Sequence, residues 1–339
     1  MSALPEPAYA EFAVQSNFSF LRGASAAEEL MVTAGMLGLS AVGLADRNTV
    51  AGVVRAWKQA EAGGLRYHPG CRLVFSDGAP DMLAYPRDRA GWGHLCRMLT
   101  GANMRGEKGA PDLLLEDLFC WGDRMALAIL PQALEQPGPL LPLLRRLKDR
   151  FGAALRFAIA PDYSGDGRFR IEQAAALADD ASLSLMAVND VLYHAPERRP
   201  LQDTLSAIRL KTTVAEAGFE LEANAERHLK PPREKARLFR RHPQALAETL
   251  QFSAELGFSL AELQYNYPDE PTESGLPPQE ELERLTWAGA KVRFPEGLSE
   301  KNRRIIEHEL KTVGELKYAL YFLTVHDIVK FARSKGILC

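Results

Sequence analysis

The sequence is short of most features that would mark a specialised chain. It has four cysteines in 339 residues, Cys71, Cys96, Cys120 and Cys339, and no two of them form a C-x-x-C pair. That spacing argues against a zinc cage and against a disulfide framework, and it fits a reducing cytosol. No run of 18 or more apolar residues occurs, and no charged-then-apolar leader opens the chain. Neither a membrane span nor secretion is therefore expected. Net charge is only −3. Nothing pulls the whole molecule toward nucleic acid, so such binding would need a local basic patch. Internal repeats and low-complexity tracts are lacking as well.

What is present is ordinary globular composition, 46% hydrophobic and 25% charged, in a length that suits two domains or one large barrel with an appendage. From residue 9 to about 195, strand and helix patterns alternate. Strands are predicted at 11–14, 40–45, 70–75, 81–85, 125–130, 155–159 and 183–188, with helices near 26–37, 49–62, 92–102, 139–150 and 170–180. Ser25 and Glu28 read as a capping box for the first helix, and Asn48 as the cap of the second. The alternation is that of an α/β protein, either a closed barrel-like sheet or an open doubly wound one, and periodicity does not choose between them. After His194 the strands stop. Helices are predicted at 197–209, 233–240, 243–256, 279–290, 300–316 and 322–335, broken by Pro231-Pro232 and by an acidic, proline-rich loop at 265–278. The change falls within 200–230 and divides the chain into 1–215 and 216–339. The final run Ile337, Leu338, Cys339 is apolar and stops at once, which suggests a chain cut within a larger protein.

Chemistry in α/β folds collects where strands end in loops. The stretch YAEFAVQSNFSFLRG, residues 9–23, is the first such place and offers Ala13, Gln15 and Asn17. The second strand ends in Asp46-Arg47, the third carries Cys71-Arg72, the fourth opens with Asp81, and the last runs into Asn189-Asp190 and Leu192. A hydrolytic metal site needs several His, Asp or Glu side chains on one point. These positions supply aspartates, no histidine, and two arginines that would repel a metal. The plain alternative makes Asp46 and Asp190 helix caps or hydrogen-bonded turn residues.

YAEFAVQSNFSFLRGAS, GLADRNTVAGVVRA and LAYPRDRAGWGHLCRML, followed in order by AVNDVLYHAPERRPLQDTL, NAERHLKPP and YFLTVHDIVKFARSKGI, resemble the N-terminal PHP domain and following segment of bacterial C-family DNA polymerases, the polymerase III alpha subunits. SNFSFLRGAS, ADRNTVAG and HLKPP resemble the error-prone branch in particular. The resemblance covers nearly the whole chain, and several motifs in one order are far more specific than one. It implies a PHP-type distorted (β/α)7 barrel over 1–215, then over 216–339 a mainly helical connector leading into a truncated polymerase palm. It also implies that Ala13, Gln15, Asn17, Asp46, Arg47, Arg72, Asp81, Asp190 and Leu192 stand where metal-competent relatives place ligands. Most of those ligands are replaced here, so the resemblance implies a degenerate site with no metal, no phosphoesterase or proofreading activity, and ion pairs between the remaining carboxylates and the guanidiniums.

For function, the resemblance implies part of an error-prone DNA-directed DNA polymerase, a nucleotidyltransferase of damage-induced mutagenesis and translesion repair synthesis. The palm aspartates lie beyond this chain, which would be inactive alone. Mg2+ would serve the full-length enzyme. DNA and deoxynucleotides would be its substrates, accessory mutagenesis proteins and the sliding clamp its partners, and the cytoplasm its place. The rival readings are a stand-alone PHP metallophosphoesterase and a non-catalytic scaffold for repair partners. The basic run at 227–241, with Arg227, Lys230 and Arg233, and the cations Lys330, Arg333 and Lys335 are candidate phosphate contacts. For the basic run a solvated helix face with local ion pairs is the favoured account, and for the last three cations the charge at the helix C-terminus needs no ligand. The seven histidines are scattered with no metal spacing. Tyr318, Tyr321, Phe322 and Phe331 recur at near-helical spacing and read as core.

Overall fold

The computed structural model describes residues 7–131, 137–161, 163, 165, 167–263, 272 and 274–338. By compactness the chain divides into Met1–Leu263 and Gln264–Cys339. The first unit contains seven strands: β1 (Ala10–Val14), β2 (Ala41–Arg47), β3 (Tyr67–Leu73), β4 (Asp81–Pro86), β5 (Met125–Leu130), β6 (Leu155–Ile159) and β7 (Ser184–Ala187). Its helices are α1 (Ala27–Met36), α2 (Val53–Ala62), α3 (Arg89–Arg105), α4 (Leu115–Trp121), α5 (Pro137–Phe151), α6 (Gly167–Asp180), α7 (Arg199–Leu210), α8 (Val214–Ala217), α9 (Pro232–Leu238) and α10 (Pro243–Ala254). The seven predicted strands are all present. Sequence reading missed the short α4, whose seven residues are too few for a clear period.

The strands form one curled sheet in chain order. β4 departs from a strict (β/α)7 pattern. It follows β3 with no helix between and pairs antiparallel with both β3 and β5, while the other pairs are parallel. Reversal places the first residue of β4, Asp81, beside the last residues of its neighbours. The two edges of the sheet touch at that same rim. There Gln15 N–H donates to Val191 O (2.9 Å) and Val191 N–H to Ala13 O (2.7 Å).

Lower down, side chains take the place of a ladder between β1 and β7. The buried Glu11 carboxylate accepts from its own strand at Ala13 N–H (3.2 Å) and from Asn189 N–H across the gap (3.0 Å). Tyr9 O–H also donates to it (2.7 Å). The fully buried Lys235 donates to Val188 O (2.8 Å) and Asn189 Oδ1 (3.3 Å). Each donor or acceptor left unpaired here would cost about 1–3 kcal/mol. The register also shifts between Glu11 and Val14, and Phe12 and Ala13 both fall in the inner cluster.

The inner face of the sheet is lined with small residues, Ala10, Ala41, Gly43, Ala45, Ala126, Ala128 and Ala158. That leaves room for aromatic rings. Phe12, Tyr85 and the α10 residue Phe252 meet edge to face, with centroids 4.8–5.8 Å apart. A Cβ on Gly70 would lie 2.3 Å from the Tyr85 ring. Helix α10 thus plugs the end opposite the rim, and polar ties seat it. Ala10 N–H donates to Thr249 Oγ1 (3.2 Å), His68 Nε2 meets Ser253 Oγ (2.8 Å), and Arg156 Nε donates to Glu248 Oε1 (2.8 Å). This explains why the first unit extends to Leu263, whereas the expected boundary at 215/216 follows only the loss of strands. A larger cluster on the outer face packs α1 to α6 against the sheet.

The second unit holds α11 (Pro278–Arg293), α12 (Glu300–Glu315) and α13 (Ala319–Ser334), joined by a small cluster of Leu282, Leu310, Ala319 and Leu323. Contrary to the reading of α13, Tyr318, Tyr321, Phe322 and Phe331 are all exposed. Only the Ala319–Leu323 stripe of that helix is buried within the unit. The loop expected at 265–278 and Cys339 fall largely or wholly outside the described residues. No described helix is long and apolar enough to cross a membrane.

Candidate functional site

The rim gathers the loops after β1, β2, β3 and β7 with the start of β4, and a cleft of about 460 Å3 opens there. Gln15, Arg47, Arg72, Asp190 and Leu192 line it. Asp81 is buried behind Arg72. Ala13 is buried in the inner cluster, and Asn17 is exposed.

The loop after β1 is held by Asp46. This buried carboxylate accepts Ser16 N–H, Ser16 O–H and Ser19 O–H, each at 2.7 Å. Ser19 Oγ in turn accepts Arg47 N–H at 3.0 Å. Burial pushes the Asp46 carboxyl up, opposed by the serine bonds. Asp46 is therefore a strand residue, near the end of β2, that holds the first rim loop by hydrogen bonds and is not a partner of Arg47. The loop can fold back only because residue 23 is glycine. A Cβ there would sit 2.0 Å from Ser16 O.

Asp190 and Asp81 meet guanidiniums. Arg72, 8% exposed at its side chain, donates from Nε to Asp81 Oδ2 (2.7 Å) and from Nη1 to Asp190 Oδ1 (2.6 Å). Arg227 completes the cluster, with Nη2 to Asp190 Oδ2 (2.6 Å), Nε to Asp190 O (2.8 Å) and Nη1 to Glu222 Oε1 (2.6 Å). Burial would raise the Asp190 carboxyl, but Arg227 and Arg72 outweigh it and hold it below the usual range. Desolvation likewise works against the Arg72 charge, and Asp190 and Asp81 more than restore it. Arg47 lies 3.9 Å from Asp81.

The donor set does not fit a metal. Asp46 is committed to serines, Asp81 and Asp190 to arginine, and the guanidinium of Arg72 lies between the last two. Among the described residues no three His, Cys, Asp or Glu side chains converge.

Two sequence assignments change. Ser25 does not cap α1. The cap residue is Ala26, whose N–H donates to Glu29 (2.8 Å), one position on from the expected pair. Ser25 Oγ instead bonds His194 Nδ1 (2.8 Å) and accepts His194 N–H (3.0 Å), tying the first rim loop to the last. Asn48 does not cap α2 either. Its side chain brackets Val74, accepting the N–H and donating to the O at 2.8 Å each.

Sequence reasoning missed Arg227 as a member of this cluster, because it was grouped with the basic run 37 residues beyond its partner. Lys230 is buried and pairs with Glu226, and Arg237 pairs with Glu234 (2.6 Å). Arg233, Lys330, Arg333 and Lys335 are exposed. Of these, Arg233 and Lys330 have partners of their own, and Lys335 Nζ lies 5.7 Å from the Phe331 ring centroid.

Residues 11–126 match the family described as PHP domain, and residues 280–339 match the bacterial DNA polymerase III alpha NTPase domain. More particularly, the whole chain is similar to error-prone DNA polymerases. It is 66% identical to that of Mesorhizobium japonicum over 100% of this chain and 30% of the relative. It is 49% identical to that of Sinorhizobium medicae and 48% to that of Rhodopseudomonas palustris, each over 98% of this chain and 30% of the relative. The chain thus spans about 30% of the length of these relatives.

Proposed function

We propose that this chain is the N-terminal part of an error-prone DNA-directed DNA polymerase, a nucleotidyltransferase of damage-induced mutagenesis and translesion repair synthesis. The observation that carries the proposal is 66% identity along the entire chain to a protein of that name. In this reading residues 1–215 are a PHP-like structural domain, and 216–339 are the helical connection toward the polymerase palm. The complete enzyme would take DNA and deoxynucleotides, use Mg2+ at palm carboxylates outside this chain, and work in the cytoplasm with accessory mutagenesis proteins and the sliding clamp. Arg233, Lys330, Arg333 and Lys335 are the candidates for phosphate contact. Arg227 and Lys230 are weaker ones, since carboxylates already hold both.

The rim supports a structural role for the PHP-like domain. A hydrolytic metal centre binds and activates water at an open coordination position. A guanidinium already bonded to both remaining carboxylates offers none.

Primer extension tests the proposal. The product of the complete coding sequence extends a primed template with Mg2+, and the 339-residue chain gives no product. Templated synthesis by the 339-residue chain, or a stop codon directly after Cys339, would overturn it. Phosphodiester hydrolysis by this chain with near-stoichiometric bound Zn, Mn or Fe would overturn the structural role of the rim.

A further inference from the structure

Among the described residues, the cleft at the rim carries more positive charge than its acids neutralise. Six arginines line it, Arg22, Arg47, Arg72, Arg170, Arg209 and Arg227, against three carboxylates, Asp190, Glu220 and Glu222, and of the six Arg170 has a partner of its own. The pairing is uneven as well. Asp190 is taken by Arg72 and Arg227, and Glu222 by Arg227. The buried Asp81 is taken by Arg72, with Arg47 at 3.9 Å. Among the described residues no carboxylate is in salt-bridge contact with Arg22 or Arg209. The Nε of Arg209 is buried and has no hydrogen-bond partner. Arg22 is half-buried, and its guanidinium is pushed down to about 10 by burial and by the charges of Arg47, Arg209 and Arg72.

Like charges so placed repel, and a buried donor without an acceptor costs free energy. An anion in the cleft would relieve both. Planar guanidinium forks match the paired oxygens of a tetrahedral oxyanion, two N–H bonds to two oxygens. The cleft volume lies within the ordinary range for small-ligand sites.

We infer that this cleft is an oxyanion site for a phosphate group, with Arg22 and Arg209 as its principal donors and Arg47 as a third. Arg72 and Arg227 contribute field but keep their carboxylates, and so form the floor. The inference needs only this chain and is independent of the polymerase reading. Failure of primer extension would leave it standing, and its own failure would leave primer extension standing.

The test is calorimetric titration and thermal melting of the 339-residue chain in a buffer free of phosphate and sulfate, with chloride matching the ionic strength. Inorganic phosphate and a nucleoside 5′-monophosphate are titrated separately, which distinguishes a free anion from an esterified one. Saturable binding of one or both is expected, with the melting midpoint rising as ligand is added. Arg22→Gln and Arg209→Gln each weaken it by about tenfold or more. Arg241→Gln, which removes a cation paired with Glu172 outside the cleft, leaves binding unchanged. A sign reversal separates the site from mere fold support. Without ligand, Arg22→Gln and Arg209→Gln melt at or above the parent temperature, because each removes an unneutralised cation. With ligand at saturation they melt below the parent. Absence of saturable heat for either probe at millimolar concentration, or affinity unchanged in both variants, would overturn the inference.

Discussion

Arg72→Met is the sharpest perturbation of the rim. The change keeps an unbranched apolar stem and removes the guanidinium with its charge. Two bonds are lost, at 2.7 Å to Asp81 and 2.6 Å to Asp190. Their consequences differ. Asp190 keeps Arg227 on its other oxygen at 2.6 Å. Asp81, only 2% exposed, keeps nothing nearer than Arg47 at 3.9 Å. The dominant cost is a stranded buried carboxylate, for which breaking a buried pair typically takes about 3–5 kcal/mol. That is a large part of the roughly 5–15 kcal/mol that holds a domain together. Adding Asp81→Asn removes the stranded charge, so the double variant regains about 1.5–3 kcal/mol of the loss. Urea unfolding followed by circular dichroism gives both numbers, and Arg72→Lys, a point charge without the fork, falls between parent and Met variant. A loss below about 1 kcal/mol for Arg72→Met, or no recovery on adding Asp81→Asn, would show that the cluster does not hold the rim.

Two further outcomes follow from buried groups elsewhere. His68 is pushed down to about 3 by burial and by Arg66, against about 6.5 in an unfolded chain. The unfolded state therefore binds the extra proton first. Stability is full above about 6.5 and falls as pH drops toward 3, by at most roughly 4–5 kcal/mol. His68→Gln flattens the acid limb of a stability–pH curve, and an unchanged limb would refute the assignment. Gly23→Ala places a Cβ 2.0 Å from Ser16 O. Because the obstacle is backbone, the loop must shift at a cost of about 1–3 kcal/mol or more, read as faster proteolysis within residues 16–24. Parent-like resistance would refute the close approach.

Strands such as β5 (Met125–Leu130) were legible because they are short apolar runs bounded by glycine, proline or charge, and the sequence bounds β5 to the residue, whereas β3 (Tyr67–Leu73), with Pro69, Gly70 and Arg72 inside it, was placed three residues late. Curvature and closure were not legible. The seam depends on Glu11 reaching Asn189, 178 positions away, and a lone acid in an apolar strand does not announce that partner. Helix α10 read as one more connector helix, because its role rests on the alanine-lined inner face it fills. Asn48 and Ser25 were misplaced because a short polar side chain before a helix serves equally as cap or as loop tie, and only the fold decides. That Ala13 and Arg72 bring no metal-binding side chain to the rim was plain. Where the rim carboxylates would find their cations was half visible, since Arg72 lies at a strand end but Arg227 arrives from the segment before α9.

The rim then poses a question of charge. Asp81 and Asp190 are brought together by the reversal of β4 and the end of β7, and two neighbouring carboxylates both stay ionised only with a cation between them. Arg72 is that cation, with one nitrogen on each acid. It does for the fold what a bound metal would do, joining β3, β4 and the segment after β7, and Arg227 extends the same tie to the segment before α9. It cannot do the chemistry, since a guanidinium has no open position for water and does not titrate in the neutral range. Arginine at this position therefore holds the frame but offers no place for an activated water. The positive charge at the rim overshoots. Asp46 is already held by serines, so among the described residues Arg47 has only Asp81 at 3.9 Å, an acid that Arg72 already holds, and Arg22 and Arg209 have no carboxylate in salt-bridge contact. Arginine supplies the cation at the floor of the cleft, and the further arginines around it leave a place for an anion at its mouth.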